Sequence, residues 1–302
     1  MNIRQAFITG GTGPLGIALA KYLIQQKVEV TSIVNPKSIR MAELTKLDSV
    51  YVTKCDIANL AEIDSQFSRA YDAFFHLGWS ATDSQSTRND PINHAQNILY
   101  TLDAVRLAHK LRCGVFIGAG SQIECPPSGS EQNEESYGIA KFAAGKLSRK
   151  LCEQFGIRHC WARIQSIYGP AERKTTAIMY CVHMLLRGEK PALTEGEQLW
   201  DYLYSSDCAR AFYLMAEKGR HGAVYSVGSG MARPLYEYFE IIRDCIDPSL
   251  PLGLGDKQYL PGQIMHLQAD IRSLTQDTGF VPKYSFNEGI QETIAWVREN
   301  FY

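Results

Sequence analysis

The chain has 302 residues, 45% of them hydrophobic and 21% charged, and its formal net charge is −1 at pH 7. This balance is typical of a globular protein with one large or two modest domains, and the small net charge argues against a nucleic-acid partner. No apolar run reaches the roughly 18 residues of a membrane span, and no leader precedes the first predicted strand, so we expect no membrane partner.

The eight cysteines are scattered along the chain, and none belongs to a Cys-x-x-Cys pair. Most of them lie in apolar stretches. We therefore predict reduced core cysteines in a cytoplasmic protein, with neither a disulfide framework nor a metal site.

The first predicted element is a strand that runs into a glycine-rich turn. An apolar run over residues 5–9 is followed by Gly10, Gly13 and Gly16, and residues 17–24 resemble a helix. The first glycine allows a tight turn, the second lets the backbone approach a pyrophosphate, and the third lets the helix pack close to the strand. The helix N-terminus presents free N–H groups and a favourable dipole to the phosphates, so this stretch predicts nucleotide binding.

Strands and helices then alternate along the first half of the chain. The pattern predicts strands over residues 28–34, 49–54, 73–77, 114–118 and 158–167, and helices over 58–70, 90–111 and 136–155. This alternation predicts an α/β fold of the Rossmann type, a doubly wound parallel sheet with helices on both faces.

The second half is less regular. It contains predicted helices over residues 176–187, 208–217, 235–244 and 286–299 and predicted strands over 199–204 and 223–227. We expect a dinucleotide-binding domain of residues 1–168 and a smaller mixed substrate-binding lobe of residues 169–302, with segments near 199–228 returning to the main sheet. Ligands bind outside the carboxyl edge of such sheets, so we expect the lobe to shape the substrate pocket.

A tyrosine and a lysine stand four residues apart where the helix over 136–155 begins. Tyr137 and Lys141 therefore lie on one helical face and can address the same site. A free phenol has a pKa near about 10, and a neighbouring ammonium favours the phenolate and lowers that pKa. Such a tyrosine can give a proton to a carbonyl oxygen whose carbon accepts hydride.

Together these features resemble the extended short-chain dehydrogenases/reductases, in particular the NAD-dependent epimerase/dehydratase family that modifies nucleotide sugars. The shared motifs are the Thr-Gly-x-x-Gly-x-x-Gly turn that begins at Thr9 and the Tyr-x-x-x-Lys helix. The resemblance covers nearly the whole chain, from Ile3 to about Trp296. It implies a third catalytic residue, Ser121, whose hydroxyl would bond the reacting oxygen and orient it.

The end of the second strand bears on the choice of cofactor. A NAD-preferring fold holds the ribose hydroxyls with a carboxylate there, but this chain has Val34 and Asn35, followed by Lys37 and Arg40. Neutral and basic groups suit a 2′-phosphate, so we predict NADP(H) over NAD(H), with Asn35, Lys37 and Arg40 contacting the phosphate. The alternative is that Lys37 and Arg40 are ordinary solvated surface charges.

The resemblance also implies further cofactor contacts. Besides the three glycines of the turn they are Thr12, Leu15, Asp56, Ile57, Leu77, Gly78, Trp79, Tyr137, Lys141 and Ile164. Asp56 and Ile57 resemble the Asp-apolar pair beside the adenine, although a buried or capping aspartate fits the sequence equally well. His76 has no metal-ligating partner at a suitable spacing, and we interpret it as structural.

Two motifs bear on the substrate. Arg163–Pro170 resembles an Arg-Pro-x-Asn-x-Tyr-Gly-Pro motif, with Ile164 in place of the proline and Ser166 in place of the asparagine that often touches a sugar nucleotide's phosphates. Trp200 stands where a later motif has arginine. These departures weaken the evidence for a nucleotide diphosphate. The implied substrate contacts are Ser121, Gln122, Ser166 and Tyr168.

The residues after Ser121 bear on the reaction. A 4,6-dehydratase usually carries an Asp-Glu acid–base pair there, and this chain has Gln122 and Ile123. Glu124 comes one step later and, along a strand, would point the opposite way from Ile123. We therefore expect a nucleotide-sugar 4-keto reductase. An epimerase that retains NAD is the main alternative, and a reductase of a non-sugar carbonyl or a non-catalytic NAD(P)-sensing protein stays open.

The resemblance further implies a homodimer. The helices over 90–111 and 136–155 would form a four-helix interface between two subunits. Such an interface requires apolar side chains on the outward faces of both helices.

Overall fold

The computed structural model describes residues 2–63, 67, 69–80, 85–124 and 135–302. The strands are β1 (Gln5–Thr9), β2 (Glu29–Val34), β3 (Val50–Lys54), β4 (Ala73–His76), β5 (Val115–Ser121), β6 (Arg158–Ile164), β7 (Ser166–Tyr168), β8 (Leu199–Trp200), β9 (Tyr202–Tyr204), β10 (Ala223–Val227), β11 (Arg233–Pro234) and β12 (His266–Leu267). The helices are α1 (Pro14–Gln25), α2 (Met41–Thr45), α3 (Gln85–Arg88), α4 (Pro91–Lys110), α5 (Ser136–Phe155), α6 (Ala177–Leu186), α7 (Ser205–Lys218), α8 (Leu235–Ile246), α9 (Arg272–Thr278) and α10 (Phe286–Phe301). Among the described helices, none combines the length and apolar content that a bilayer span requires.

The main sheet contains seven of the described strands in the order β10-β6-β5-β4-β1-β2-β3, and every pairing is parallel. From β1 the chain winds outward in one direction through β2 and β3, and then in the other through β4, β5 and β6. The order therefore reverses between β1 and β4, which is the point where such sheets bind ligands. This is a Rossmann-type α/β fold, and it confirms the predicted fold class.

The central strands are apolar on both faces because helices cover both sides of the sheet. Phe7, Phe74 and Phe116 are aligned on three adjacent strands and are fully buried. Their rings stack with centroids 5.1 and 5.5 Å apart. Aromatic ladders of this kind fix the register of neighbouring strands.

The predicted helix over 58–70 is wrong in its described part. Residues Ile57–Glu62 form a 3-10 helix instead, in which Asn59 has non-helical backbone angles. The Asp56 side chain accepts the Ala58 N–H at 3.0 Å and so begins this tight turn. Leu60 is completely buried, so local capping and one apolar anchor hold the segment. Residues 64–66 and 68 lie outside the described residues.

Three predicted strands also have other bounds in the structure. β5 continues to Ser121, three residues beyond the predicted 114–118, and the predicted strand over 199–204 is divided at Asp201 into β8 and β9. The predicted strand over 158–167 is likewise divided into β6 and β7. The structure thus places Ser121 at the carboxyl end of a regular strand.

The chain divides into two compact units. The first unit contains Met1–Ile164, Ala209–Val227 and Arg272–Phe280, and the second contains Gln165–Cys208, Gly228–Ile271 and Val281–Tyr302. The main sheet belongs to the first unit. The second unit has its own core, in which α6, α8 and α10 pack together around side chains such as Tyr238 and Phe286.

A buried carboxylate organises the second unit. Asp201 is completely buried and accepts the backbone N–H groups of Ser229, Gly230 and Ala269 at 2.7, 2.9 and 3.0 Å. Three donors satisfy a buried carboxylate well and join three separate stretches of chain.

Candidate active site

The glycine turn has the geometry that its sequence predicts. Gly10 has a φ of +75°, and a Cβ at this position would lie 2.6 Å from the Gly78 nitrogen. A Cβ at Gly16 would lie 2.5 Å from the Gly10 carbonyl oxygen. Among the described residues no side chain caps α1, whose cap residue is Gly13. The turn therefore leaves the first N–H groups of the helix to a ligand, which fits a bound pyrophosphate.

The predicted cofactor residues meet at the carboxyl edge of the sheet. Asn35, after β2, donates a hydrogen bond of 3.0 Å to Asp56, after β3. A Cβ at Gly78, after β4, would lie 2.8 Å from Ile57. Gly78 in turn touches Gly10 through the close approach described above. The ends of four adjacent strands are therefore brought together around the turn.

The other predicted cofactor residues differ in exposure. Thr12 and Leu15 are buried within the turn and the first turn of α1. Lys37 is exposed, and its backbone N–H donates to the Asn35 side chain at 2.9 Å. Arg40 is partly buried.

His76 joins two elements beneath this edge. Its Nδ1 lies 2.8 Å from the Thr9 hydroxyl, and its Nε2 lies 3.3 Å from the Thr101 hydroxyl. Burial, and to a smaller extent the Lys141 charge, lowers the pKa of His76 to about 3. The imidazole is therefore neutral at pH 7 and ties β1 to α4, in agreement with a structural role.

Tyr137 and Lys141 lie in the first turns of α5, next to the end of β5. The Lys141 Nζ donates to the Ala119 carbonyl at 2.7 Å and lies 3.8 Å from the centre of the Trp79 ring. The Tyr137 ring is 5.8 Å from the Trp79 ring, edge to face. Trp79, Tyr137 and Lys141 are therefore assembled into one cluster.

The environment of Lys141 changes its chemistry. Burial lowers its pKa from 10.5 to about 7, and the negative charge of Glu124 opposes that change. The Trp79 ring favours the ammonium through its π face. An ammonium poised near neutral pH can stabilise a phenolate and can also exchange its proton.

The turn that follows Ser121 packs tightly against the start of α5. A Cβ at Gly138, directly after Tyr137, would lie 2.4 Å from the Ile123 carbonyl oxygen. The 3-10 turn Gln122–Glu124, which follows Ser121, therefore packs directly on the start of α5. Ile164, on β6, is the register neighbour of Ser121. Gln122 Oε1 is buried and has no hydrogen-bond partner among the described residues.

The sequence did not reveal two side chains near this cluster, and it did not predict the contacts of a third. The Trp79 Nε1–H donates to Nδ1 of His94 at 3.3 Å, and the His94 ring is 5.6 Å from the Tyr137 ring. The Arg88 guanidinium lies 4.9 Å from the centre of the Tyr137 ring. The third side chain, Glu124, is buried behind Ser121.

Glu124 does not lie on a strand, as its predicted orientation assumed. Residues Gln122–Glu124 form a 3-10 turn, so the alternation of a strand does not describe where Glu124 points. Its carboxylate is bound by the side chains of Arg163 and Trp161, each at 3.0 Å.

The second unit contains the other predicted substrate residues. The Trp200 Nε1–H donates to the Ser166 hydroxyl at 2.8 Å, so two of the three positions that depart from the family motifs contact each other. Tyr168 is buried in the core of this unit, and its hydroxyl donates to the Phe286 carbonyl at 3.2 Å. The Tyr168 hydroxyl is thus engaged within the core, whereas Ser166 is partly exposed.

The fold has a glycine turn at the point where strand order reverses and a Tyr-x-x-x-Lys helix beside the end of β5. These features define a short-chain dehydrogenase/reductase of the extended type. The model of the NAD dependent epimerase/dehydratase family matches residues 6–228, and the chain belongs to this family. The proteins that it resembles within the family are enzymes.

Known relatives are distant but extend over the full length. The dTDP-glucose 4,6-dehydratase of Haemophilus influenzae is 23% identical over an alignment that covers 98% of this chain and 97% of that protein. The UDP-N-acetylglucosamine 4-epimerase of Methanobrevibacter ruminantium, solved with UDP-N-acetylmuramic acid, has a TM-score of 0.85 at 24% identity and covers 100% of both chains. WbmF of Bordetella bronchiseptica, solved with NAD+ and UDP, has a TM-score of 0.84 at 21% identity, with 98% of this chain and 93% of that chain covered.

Proposed function

We propose that this protein reduces a keto group at a sugar carbon of a nucleotide sugar, and in particular that it is a nucleotide-sugar 4-keto reductase. The observation that carries the proposal is the contrast between two parts of the site. Tyr137 and Lys141 are assembled beside the end of β5, whereas the places of a dehydratase acid–base pair hold Gln122 and Ile123. The one nearby acid, Glu124, is buried and bound to Arg163 and Trp161, which argues against a role in eliminating water.

The side chains of the cluster divide the work of carbonyl reduction. A nicotinamide cofactor bound at the glycine turn would supply the hydride for the carbonyl carbon. Tyr137 donates its phenolic proton to the carbonyl oxygen, and the Lys141 ammonium stabilises the resulting phenolate. Ser121 donates a hydrogen bond to the same oxygen and orients it. Gln122, with an unpartnered buried amide oxygen, is a candidate to accept a substrate hydroxyl.

For the cofactor we propose NADP(H). Asn35, Lys37 and Arg40 give the end of β2 neutral and basic side chains, which suit a 2′-phosphate. The hydrogen bond from Asn35 to Asp56 places one carboxylate nearby, and WbmF and a dTDP-glucose 4,6-dehydratase of Streptomyces venezuelae were solved with NAD. Titration calorimetry with NADP+ and NAD+ in parallel tests the proposal, and a clear preference for NAD+ would contradict it.

A nucleotide-sugar 4-epimerase is the second candidate. Solved structures with this fold include the UDP-glucose 4-epimerase of Thermotoga maritima and the UDP-glucuronic acid 4-epimerase of Bacillus cereus. The assay is incubation of purified protein with dTDP- and UDP-hexoses and with a dTDP-4-keto-6-deoxyhexose, with and without added coenzyme. Consumption of NADPH with the keto sugar supports the reductase, and interconversion of C4 isomers without net coenzyme consumption supports the epimerase. Formation of a 4-keto-6-deoxy product from dTDP-glucose would overturn both.

Two alternatives have distinct outcomes in the same assay. Oxidation of NADPH by a non-sugar ketone, without any turnover of nucleotide sugars, would indicate a reductase of a non-sugar carbonyl. Coenzyme binding without turnover of any substrate would indicate a sensing protein.

Ser166 and Tyr168 stay predicted substrate residues, and the cytoplasmic location of the protein also stays a prediction.

We propose that the protein is a homodimer through α4 and α5. These two helices pack against each other in the first unit, and large apolar side chains are exposed along both. They are Ile92 and Leu99 on α4 and Ile139, Phe142 and Leu147 on α5. The two α4 residues are seven positions apart and therefore lie on one face. The three α5 residues are three, five and eight positions apart and lie near one face. A second copy of the same surface would bury both stripes.

Light scattering at micromolar protein tests the dimer. Leu99→Asp would place a charge in the centre of the interface, and we expect it to give a monomer. Leu260→Asp, which introduces the same charge at an exposed leucine outside α4 and α5, is the matched comparison. A clean monomer mass for the unaltered protein would contradict the proposal.

A further inference from the structure

The carboxylate of Glu124 is enclosed by donors from two strands. Its Oε1 accepts the backbone N–H of Ser121 at 2.7 Å and the Trp161 Nε1–H at 3.0 Å. Its Oε2 accepts the Arg163 Nε–H at 3.0 Å. The side chain of Glu124 is 1% exposed, so these three donors replace solvent around a buried charge.

The surrounding backbone leaves space for this arrangement. A Cβ at Gly120 would lie 2.4 Å from both the Glu124 Oε1 and the Trp161 Nε1. Cβ atoms at Gly118 and Gly145 would lie 2.1 and 2.8 Å from the Trp161 ring. Glycine at these three positions, on β5 and α5, is therefore what permits the tryptophan and the carboxylate to lie behind Ser121.

Stability alone is a weak reason for such a group. A buried ion pair contributes little or nothing compared with apolar side chains of the same volume, because desolvation offsets the attraction. The arrangement does have a specific geometric effect. Ser121 ends β5, and its N–H is held by a side chain three residues later, which fixes the peptide plane of the strand terminus.

We propose that Glu124 is a positioning residue that acts through Ser121, holding the serine backbone so that its hydroxyl faces the reacting carbonyl oxygen. The catalytic part of this inference rests on the proposed function, and the positioning of Ser121 does not. The charge of Glu124 also raises the pKa of the buried Lys141, against the effect of burial. One carboxylate therefore serves two members of the predicted catalytic set.

A double-mutant cycle tests whether Glu124 acts through Ser121. We expect Glu124→Asp, which withdraws the carboxylate from the Ser121 N–H by one methylene and keeps the charge, to lower kcat by about 10- to 100-fold with little change in KM, because small displacements of a catalytic group are costly. In a Ser121→Ala background the same change should cost much less. Asp277→Asn is the matched control: this acid pairs with Arg220 and Tyr225 in the same unit and should leave kcat nearly unchanged. Equal losses in both backgrounds would overturn the proposal.

Backbone exchange provides a test that needs no turnover. In Glu124→Ala the Ser121 N–H loses its acceptor, so its hydrogen exchange should accelerate while Asp277→Asn leaves it unchanged. Where Glu124→Ala does not fold, Glu124→Asp withdraws the carboxylate by one methylene and serves the same purpose. Unchanged exchange at Ser121 in a folded variant would overturn the positioning role. If the unaltered protein turns over no substrate, the proposed function fails, and the exchange result alone decides this inference.

Discussion

The buried Lys141 should make the protein less stable at low pH, and its replacement should reveal by how much. Its pKa falls from 10.5 to about 7 on folding. Between these values the unfolded chain binds a proton that the folded chain does not, so the free energy of unfolding rises with pH through this window. At about 1.4 kcal/mol per pH unit, the contribution changes by about 4 kcal/mol between pH 6 and pH 10.

Lys141→Met isolates this contribution because methionine has a similar size and no charge. The variant also loses the hydrogen bond to Ala119, which costs about 1–3 kcal/mol at every pH, whereas the Trp79 contact favours only the ammonium. At pH 6 the variant should therefore have the higher free energy of unfolding. Between pH 6 and pH 10 the free energy of unfolding of the unaltered protein should rise by about 4 kcal/mol relative to that of the variant.

Urea unfolding from pH 6 to pH 10, followed by far-UV circular dichroism, measures this difference. Lys146→Met is the matched control, because it removes an exposed ammonium from the same helix. A Lys141→Met difference that stays constant over this range would refute the argument that burial lowers the pKa of Lys141.

Three other substitutions test separate parts of the structure. Tyr137→Phe should lower turnover by about 10²- to 10⁴-fold and leave coenzyme affinity, measured by titration calorimetry, nearly unchanged; persistent activity would remove Tyr137 from the mechanism. Gly138→Ala should lower both kcat and the free energy of unfolding, the latter by about 1–3 kcal/mol in urea, because its Cβ would lie 2.4 Å from the Ile123 carbonyl oxygen. Asp201→Ala leaves the N–H groups of Ser229, Gly230 and Ala269 without their acceptor and should lower the free energy of unfolding by about 3 kcal/mol; an unchanged melting temperature would contradict this role.

Local sequence signals predicted the main sheet and the helix that carries Tyr137 and Lys141. The apolar runs of the main sheet are strong because both faces are covered, and the helix over 136–155 begins and ends where predicted. The glycine turn and the Tyr137–Lys141 spacing are also local patterns, so they could be recognised without knowledge of any distant contact. Where a segment lacked such periodicity, as in residues 57–62, capping by Asp56 and burial of Leu60 decided its form.

The end of β5 shows why the rest could not be predicted. The predicted strand ended at Gly118, and Gly120 lay outside it. In the structure they lie within β5 and leave space for Trp161, which is more than 40 positions away from Gly118 in the sequence. The Glu124 pair with Arg163 spans 39 positions. Contacts of this range leave no periodic signal.

The charged side chains proposed to take part in the chemistry are also those whose charged forms burial destabilises. An exposed lysine would keep a pKa near its ordinary 10.5 and remain fully charged at neutral pH, whereas burial brings that of Lys141 to about 7. The same burial destabilises the charged form, and Glu124 and the Trp79 ring offset part of that cost. Glu124 in turn requires Arg163 and Trp161, and Trp161 requires the glycines of β5 and α5. The catalytic role proposed for Lys141 thus explains why a fold would retain a chain of buried polar contacts that an apolar core would not need.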